Sequence, residues 1–323
     1  MRASVFAPDD ITGEVAIVTG ASRGLGLELA AELGRHSCRL VICARDAAEL
    51  DRAAAALRAG GAEVTAVACD ITDEAAPRLL IDTAVSSYGR LDILVNNAGI
   101  IQVEPLDSSQ PGDYESAMRT MALAPARIAL AALPVMRERG HGRIVNVTSV
   151  GGKISVPHLL PYCMAKFAAV AFSEGLRAEL GSGPVTVTTA VPGLMRTGSH
   201  MQALFRGQRE KEFTWFSLGA SLPLVSMDAG RAARRIVSAM RTRQPEVILT
   251  PAAQVAARGA GVFPGLTVRL LHLMSAALPG PEPGAPGEVA RGAGLRPAMS
   301  TRLFGRLTAL GRSAARRLNE LPG

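Results

Sequence analysis

The chain has 323 residues, 48% of them hydrophobic, enough to bury one large core and a smaller additional unit. Its four cysteines and five histidines lack the spacing of a disulfide framework or a metal site, so we expect reduced thiols and no bound metal. No uncharged run reaches the roughly 20 residues that a membrane-spanning helix needs, and the first residues contain no apolar signal core. These features predict a cytoplasmic protein.

Positive charge is concentrated at one end of the chain. Residues 1–250 carry 26 Lys and Arg against 25 Asp and Glu, whereas residues 251–323 carry nine Arg against three Glu. The nearly neutral body argues against nucleic acid as a partner, because nucleic-acid-binding domains present basic surfaces. An acidic partner, if there is one, is expected at the tail.

A short β-branched run at residues 15–19 is followed by a glycine-rich turn and then by leucines at helical spacing. Between a strand and a helix, glycines let the backbone approach a phosphate, and the first N–H groups of the helix bind it. Glycines also serve ordinary tight turns, but this placement favours a dinucleotide site. The candidate cofactor-binding residues in the turn are Gly20, Ser22, Arg23, Gly24, Leu25 and Gly26.

The second predicted strand, residues 39–44, ends at Arg45 rather than at a carboxylate. An acidic side chain at this point usually holds the adenosine ribose of NAD, whereas an arginine can accept the 2′-phosphate of NADP. Arg23 in the glycine turn adds a second cation. We therefore predict NADP(H) rather than NAD(H) as the cofactor; the alternative is that both arginines are solvated surface residues.

Strands and helices then alternate, with helices predicted over 47–57 and 73–88 and strands over 63–68 and 91–95. This alternation is typical of a parallel sheet, in which right-handed crossovers bring the loops after the strands to one rim. Residues in those loops can contact adenine or ribose, or can only close the next turn. The candidates there are Asp70, Ile71, Asn97, Ala98 and Gly99.

A strand predicted at 143–148 delivers Ser149 to the same rim. Thirteen residues later Tyr162 begins an apolar helical run, and Lys166 follows four residues after it. Side chains at i and i+4 share a helix face, so the ammonium can lie beside the phenol and lower its pKa. Such a phenol can exchange a proton with a carbonyl oxygen that the serine hydroxyl also holds. These three residues are the predicted catalytic set.

Two further strands, at 185–191 and 246–250, bring the predicted sheet to seven strands. The first of them leads into Pro192 and Gly193, with Thr197 four residues after the glycine. All three residues are candidates for cofactor binding at the rim.

In order and spacing, these motifs resemble those of the short-chain dehydrogenase/reductase family over about residues 14–250. Thr19 opens the family's TGxxxGxG cofactor turn, residues 96–99 form its sheet-stabilising NNAG segment, and the Ser, Tyr and Lys match its catalytic set. The Pro-Gly pair and its threonine match the segment that borders the nicotinamide. The resemblance implies a doubly wound α/β Rossmann fold with a seven-stranded parallel sheet, and hydride transfer that is the cofactor's own chemistry.

The resemblance also implies a role for each matching residue. Tyr162 would be the general acid/base, Lys166 would lower its pKa and hold the nicotinamide ribose, and Ser149 would position the substrate oxygen. Thr197 would contact the carboxamide. Met121 departs from the pattern, because it stands where an asparagine usually supports a water chain to the lysine, and methionine cannot donate those hydrogen bonds. We expect the proton relay to be rerouted or slow.

The segment 199–227, which covers the substrate in this family, contains four of the chain's twelve aromatic residues. An apolar lining of this kind suits a bulky hydrophobic substrate such as a sterol, a long acyl chain or a polyketide-like ketone. The alternative is that the aromatic side chains only pack the lid onto the body. They are Phe205, Phe213, Trp215 and Phe216.

Residues 251–323 lie beyond the sheet that the family shares. An apolar stretch at 252–278 and a Pro- and Gly-rich linker at 279–287 precede a basic amphipathic pattern at 303–318. Such a helix can lie on an anionic membrane, although more often it docks on its own body or on a partner subunit.

We therefore predict an N-terminal extension (1–13), a catalytic domain (14–250) and a helical C-terminal extension (251–323). The predicted function is that of an NADP(H)-dependent oxidoreductase interconverting a carbonyl and an alcohol on a hydrophobic small molecule. We expect a homo-oligomer that binds no nucleic acid and is cytoplasmic, with peripheral membrane contact as an open alternative. The competing functions are a nucleotide-binding regulator with little turnover, favoured only by Met121, and a membrane-surface lipid dehydrogenase.

Overall fold

The computed structural model describes residues 8–221, 226–281, 287–299 and 301–320. Its main sheet has the seven parallel strands predicted, and they lie in the order β3-β2-β1-β4-β5-β6-β7, which confirms the doubly wound fold. Parts of the predicted N-terminal extension (1–7), lid (222–225) and linker (282–286) lie outside the described residues. The strands are β1 (Val15–Thr19), β2 (Arg39–Ala44), β3 (Val64–Ala68), β4 (Ile93–Asn96), β5 (Gly142–Val147), β6 (Val185–Val191) and β7 (Glu246–Ile248).

Helices cover both faces of the sheet. The central strands β1, β4 and β5 are buried along their whole length, as expected of parallel strands that are covered on both sides. One face packs against α1, α2 and α8, and the other packs against α3, α5 and α6. The helices are α1 (Gly24–Arg35), α2 (Ala47–Ala59), α3 (Ala76–Tyr88), α4 (Pro111–Met118), α5 (Ala124–Glu138), α6 (Leu160–Leu180), α7 (Arg209–Ser221), α8 (Ala229–Arg241), α9 (Pro251–Val262), α10 (Pro264–Ala276), α11 (Thr301–Leu307) and α12 (Ala309–Arg317).

Local sequence signals account for several helix ends. The Asp46 side chain accepts a hydrogen bond from the Glu49 N–H and so caps α2. α3 begins at Ala76, three residues later than predicted, with a proline in its first turn. It ends at Tyr88 and is capped by Gly89, whose φ of 75° is in the left-handed region that favours glycine. The predicted boundary at residue 73 was therefore wrong, whereas the end at Tyr88 was right.

One helical run among the described residues, Pro111–Glu138, has the length and composition of a membrane-spanning segment. Much of it is nevertheless packed inside the protein. Ile128, Leu133 and Met136 belong to the core beneath the sheet, so this run behaves as a core helix.

The C-terminal extension consists of two parts that differ in burial. The predicted amphipathic helix at 303–318 is split at Thr308 into α11 and α12, which pack on α7. A short strand, Ala290–Arg291, pairs with Leu204–Phe205 of the lid, which pairs in turn with Gln102–Val103. The apolar helices α9 and α10 follow β7 and are separated only by Phe263; we name them together the α9–α10 hairpin, and α10 has no buried residue.

Candidate active site

The structure brings Ser149, Tyr162 and Lys166 together at the rim after β5. Ser149 begins a 3-10 turn, and its Oγ accepts a hydrogen bond from the Gly151 N–H at 3.0 Å. Tyr162 and Lys166 occupy successive turns at the start of α6, and the tyrosine hydroxyl is hydrogen-bonded to Ser149. The Lys166 ammonium lies 5.8 Å from the centre of the tyrosine ring. This geometry can hold a carbonyl oxygen between two hydroxyl groups.

The ionisation of the pair differs from the expectation. Burial raises the pKa of Tyr162 to about 12, and its hydrogen bond with Ser149 offsets only part of that shift. Burial also lowers the pKa of Lys166 to about 8. The lysine donates to the Val147 carbonyl oxygen at 2.9 Å. The expected lowering of the phenol pKa is therefore not seen in this conformation, because desolvation is the dominant effect.

Met121 lies in a π-helical turn, Arg119–Leu123, that joins α4 to α5. Its side chain packs with Ala165 and Tyr162, and it also lines a cavity of about 10 Å³ beside Lys166. A cavity of this size has room for about one water molecule. Any water relay through this point is therefore short, and Met121 offers it no hydrogen-bond donor.

Two positions of the glycine turn, Gly20 and Gly26, accept only glycine. A Cβ at Gly20, where φ is +65°, would lie 2.7 Å from the Ala98 Cα, and a Cβ at Gly26 would overlap the Gly20 carbonyl oxygen. The predicted cradle for a pyrophosphate is therefore present in shape.

Asn97 and Ala98 support this turn from the neighbouring strand end. The Asn97 side chain donates to the carbonyl oxygens of Thr19 (3.0 Å) and Gly20 (3.2 Å). The Thr19 Oγ1 accepts from the backbone N–H groups of Asn97 and Ala98. Asn96 instead donates to the Asn146 side chain at 2.9 Å and so joins β4 to β5. In this segment the polar groups mainly hold the rim together.

The cations predicted to select NADP differ in their environment. The Arg45 side chain is 65% exposed and lies 3.8 Å from Asp70. Arg23 is already paired with Glu49 at 2.6 Å. The Asp70 carboxylate also accepts two hydrogen bonds from Thr72 at 2.8 Å, as expected of the turn-capping alternative. The same rim also contains Ile71, Leu25 and Gly99. The sequence analysis did not predict the pairing of Arg23 with Glu49.

The Pro-Gly segment lies beside the loop that begins at Ser149. The Pro192 carbonyl oxygen accepts from the Val150 N–H at 2.7 Å. Gly193 packs so closely against Thr250 that a Cβ would overlap its hydroxyl. Thr197 is buried, and its Oγ1 accepts from the Ser199 N–H at 3.1 Å. Pro192 thus lies next to the loop that contains Ser149, and the role of this segment at the nicotinamide stays a prediction.

The aromatic side chains of the lid pack on one another and on Tyr162. Phe205, Phe213 and Phe216 are buried in one cluster with Tyr162, and Phe304 of α11 joins it at 5.7 Å from the Phe213 ring. In this conformation the apolar cluster packs against the side of the site that contains Tyr162.

A buried contact between a histidine and a glutamate anchors the lid to the loop before α6. His158 lies 2.9 Å from Glu212, which also accepts a hydrogen bond from the Trp215 Nε1 at 2.6 Å. No pattern in the sequence indicated this pair, since its members lie 54 residues apart.

The last described residues of the tail lie on the glycine turn. The Gly24 N–H, at the first position of α1, donates to the Leu318 carbonyl oxygen at 3.0 Å. Glu320 is buried with its carboxylate 3.5 Å from Arg23. The turn thus fits a dinucleotide in shape, but in this conformation its first amide is bound by the chain itself.

A parallel sheet in this strand order, with a glycine turn after β1 and a Ser-Tyr-Lys set after β5, defines a dinucleotide-binding oxidoreductase. Residues 14–206 match the sequence pattern of the family described as short chain dehydrogenase. The chain therefore belongs to the short-chain dehydrogenase/reductase family and is an NAD(P)-dependent oxidoreductase.

Known proteins similar to the chain agree with this assignment. A putative ketoacyl reductase from Streptomyces coelicolor is 36% identical over 196 residues, which cover 57% of this chain and 71% of that protein. A short-chain dehydrogenase/reductase from Burkholderia phymatum in complex with NAD superimposes with a TM-score of 0.73 and 26% identity, over 80% of this chain and 96% of that one. Actinorhodin polyketide ketoreductase with NADPH gives a TM-score of 0.65 and 28% identity, over 75% and 97%.

Proposed function

We propose that the chain is an NADP(H)-dependent enzyme that interconverts a carbonyl and an alcohol, with Ser149, Tyr162 and Lys166 as its catalytic residues. The convergence of these side chains beside the glycine turn carries the proposal. The bound nicotinamide would supply or accept the hydride. Tyr162, with a pKa near 12, is protonated at neutral pH and is ready to donate to a carbonyl oxygen, while Ser149 holds the same oxygen.

Replacing Tyr162 tests this assignment most directly. We expect Tyr162→Phe to abolish NADPH oxidation with a panel of hydrophobic ketones and to leave NADPH binding, followed by fluorescence, nearly unchanged. The ring remains and only the proton donor is lost. Equal turnover in the variant would reject the role. If the unaltered chain binds NADPH without turnover on any ketone, the alternative function as a nucleotide-binding regulator would gain support.

Arg45 supports the preference for NADP(H) over NAD(H). It is exposed at the end of β2 and only loosely paired, so its guanidinium is available to a 2′-phosphate. We expect Arg45→Ala to weaken NADPH binding much more than NADH binding in parallel titrations. An equal loss for both nucleotides would remove the argument, and Arg23 offers less support because Glu49 already neutralises it.

We infer a bulky hydrophobic substrate of the acyl or polyketide-like ketone class, with a sterol as an alternative. The apolar cluster that packs against Tyr162 supports this inference, because ligand pockets lined by apolar and aromatic side chains bind apolar molecules. The names of a ketoacyl reductase and a polyketide ketoreductase among the similar proteins point to the same class. A homo-oligomer and the division at residue 250 stay predictions.

A second candidate function is action at a membrane surface, and the α9–α10 hairpin favours it. Leu266, Val268, Leu270 and Leu273 are each more than half exposed on a helix that has no buried residue. A helix that is apolar all round normally lies within protein or lipid. At 13 residues α10 is too short to span a bilayer, so an interfacial position suits it better.

The charge around this hairpin fits an anionic lipid surface. Residues 247–281 contain no Asp or Glu, while Arg258 and Arg269 project from the two helices. A cleft of about 320 Å³ at the hairpin base is lined by Arg235 and Arg258, but also by Glu246, which pairs with Lys153 at 2.7 Å, so the support from charge comes from Arg258 and Arg269 and not from this cleft. α9 also begins beside Gly193, so docking here would bring the proposed nicotinamide end close to the lipid.

Vesicle sedimentation distinguishes this hairpin from the basic α11–α12 segment. We expect the full chain to bind phosphatidylglycerol-containing vesicles, Leu270→Glu/Leu273→Glu to abolish binding, and Leu303→Glu/Leu310→Glu to retain it. All four side chains are exposed, so neither double variant disturbs the core. Equal binding by the two variants would remove the hairpin's role. A different result would identify a second copy of the chain as the partner of the hairpin. In that case the parent chain would not bind vesicles, and Leu270→Glu/Leu273→Glu would lose an oligomer that the parent forms.

A further inference from the structure

The C-terminal end of α12 meets the N-terminal end of α1. Leu318, the residue that ends α12, accepts the hydrogen bond of the Gly24 N–H, which is the first amide of α1. The first amides of a helix carry a partial positive charge and the last carbonyls a partial negative charge. The two helix ends therefore satisfy each other at the point where a phosphate would bind.

The next two residues extend this contact across the glycine turn. The Asn319 Nδ2 donates to the carbonyl oxygens of Ser22 (2.9 Å) and Glu49 (3.1 Å). Asn319 has a φ of 57°, a left-handed conformation that asparagine tolerates better than most residues. Its position is therefore set by specific hydrogen bonds as well as by the packing of α12.

Glu320 fills the space beside Gly24. Its side chain is 3% exposed, and its Oε1 lies 2.7 Å from the position that a Cβ on Gly24 would occupy. Its Oε2 lies 3.5 Å from the Arg23 Nε and has no hydrogen-bond partner in the described part of the chain. The Gln202 side chain fixes its backbone by donating to the carbonyl oxygen at 2.8 Å.

We propose that residues 318–320 are an autoinhibitory plug that must leave the glycine turn before the dinucleotide can bind. The inference rests on the proposed cofactor site. The Leu318 carbonyl oxygen and the Glu320 carboxyl group occupy the amide, the glycine surface and the arginine that a pyrophosphate would use, and two groups cannot occupy the same place. The plug therefore competes with the cofactor, and the measured affinity is reduced by the fraction of molecules in which it is docked.

The interface that holds the plug is small enough to release it. Apart from Leu318, α12 buries mainly alanines, and Ala315 lies directly against Gly198. Small side chains remove little apolar area from water, so such a helix can detach without opening the main core. The release would expose the first turn of α1 to a phosphate.

A matched pair of tail variants tests the plug in the full chain. Ala315→Arg places a long side chain against Gly198 and should undock α12, whereas Ser313→Arg places the same side chain on the exposed face. If the plug is docked in about nine tenths of molecules, Ala315→Arg should tighten the apparent Kd for NADPH about tenfold. Ser313→Arg should leave it unchanged. Asn319→Ala, a milder change, should shift the Kd in the same direction.

Hydrogen exchange of residues 309–320 supplies the second readout. We expect NADPH to accelerate exchange there, since the bound nucleotide displaces the plug. The proposal would be overturned if the parent, Ala315→Arg and Asn319→Ala bound NADPH with equal affinity. It would also be overturned if NADPH slowed exchange in residues 309–320, because the tail would then close over the cofactor. If no variant binds NADPH or NADH, the proposed cofactor site itself fails, and the plug fails with it.

Discussion

The α9–α10 hairpin and the α11–α12 tail are both apolar and basic, yet the tail packs on the body of the protein and α10 stays exposed. The tail buries Phe304, Ala314 and Leu318 against the body, while α10 buries nothing. The tail has an apolar stripe and a buried acid, Glu320, that meets Arg23, whereas the hairpin exposes apolar side chains beside Arg258 and Arg269 and has no acid. A one-sided stripe is the pattern of a helix that docks on its own protein. A largely exposed apolar helix indicates a surface that needs another partner.

The largest difference should appear when a leucine is shortened in each region. Leu318 packs between Ala229 and Ala314, so Leu318→Ala should cost about 2–3 kcal/mol of tail docking. Leu270→Ala, on the exposed hairpin, should change stability by less than about 0.5 kcal/mol. Hydrogen exchange of residues 309–320 measures the first effect and thermal unfolding the second. A large loss at Leu270 would mean that the hairpin is covered in the free protein.

A pH effect of intermediate size should be confined to the tail. Burial raises the pKa of Glu320 to about 8; Arg23 opposes this shift and Glu49 adds to it. The docked carboxyl therefore keeps a proton that the released one, titrating near 4.5, has already lost. The docked tail is therefore most stable below pH 4.5, and its stability falls as the pH rises from about 4.5 to about 8. Because the docked tail competes with the cofactor, cofactor affinity should improve over the same pH range.

Glu320→Gln is the control for this titration, because it removes the proton equilibrium and keeps the shape. The NADH affinity of the parent, divided by that of the variant, should rise with pH. NADH is the preferred probe because it lacks the 2′-phosphate, which titrates near pH 6. A flat ratio would show that Glu320 does not titrate in the docked tail.

The two regions also show which structural features could be predicted from the sequence alone. The sheet and the Tyr162–Lys166 pair were predictable because each depends on spacing within one element or between neighbouring elements. The contact of Asn319 with Ser22 joins residues 297 positions apart, and no local periodicity encodes it. The pKa of Tyr162 was also beyond the sequence, because it depends on how deeply the folded protein buries the phenol.

The smallest effect should come from single arginines in the two regions. Arg317 lies 3.1 Å from Asp228 and is 56% exposed, so Arg317→Ala should weaken tail docking by less than about 1 kcal/mol, and less in high salt.

Arg269 has no acidic neighbour within 247–281 of the sequence, so Arg269→Ala should leave stability unchanged and reduce binding to anionic vesicles by about 1 kcal/mol, or roughly fivefold. Differential scanning fluorimetry and vesicle sedimentation at two salt concentrations separate these outcomes. If Arg269→Ala lowers stability and leaves vesicle binding intact, the hairpin's charge serves the fold, and the contrast between the two regions is lost.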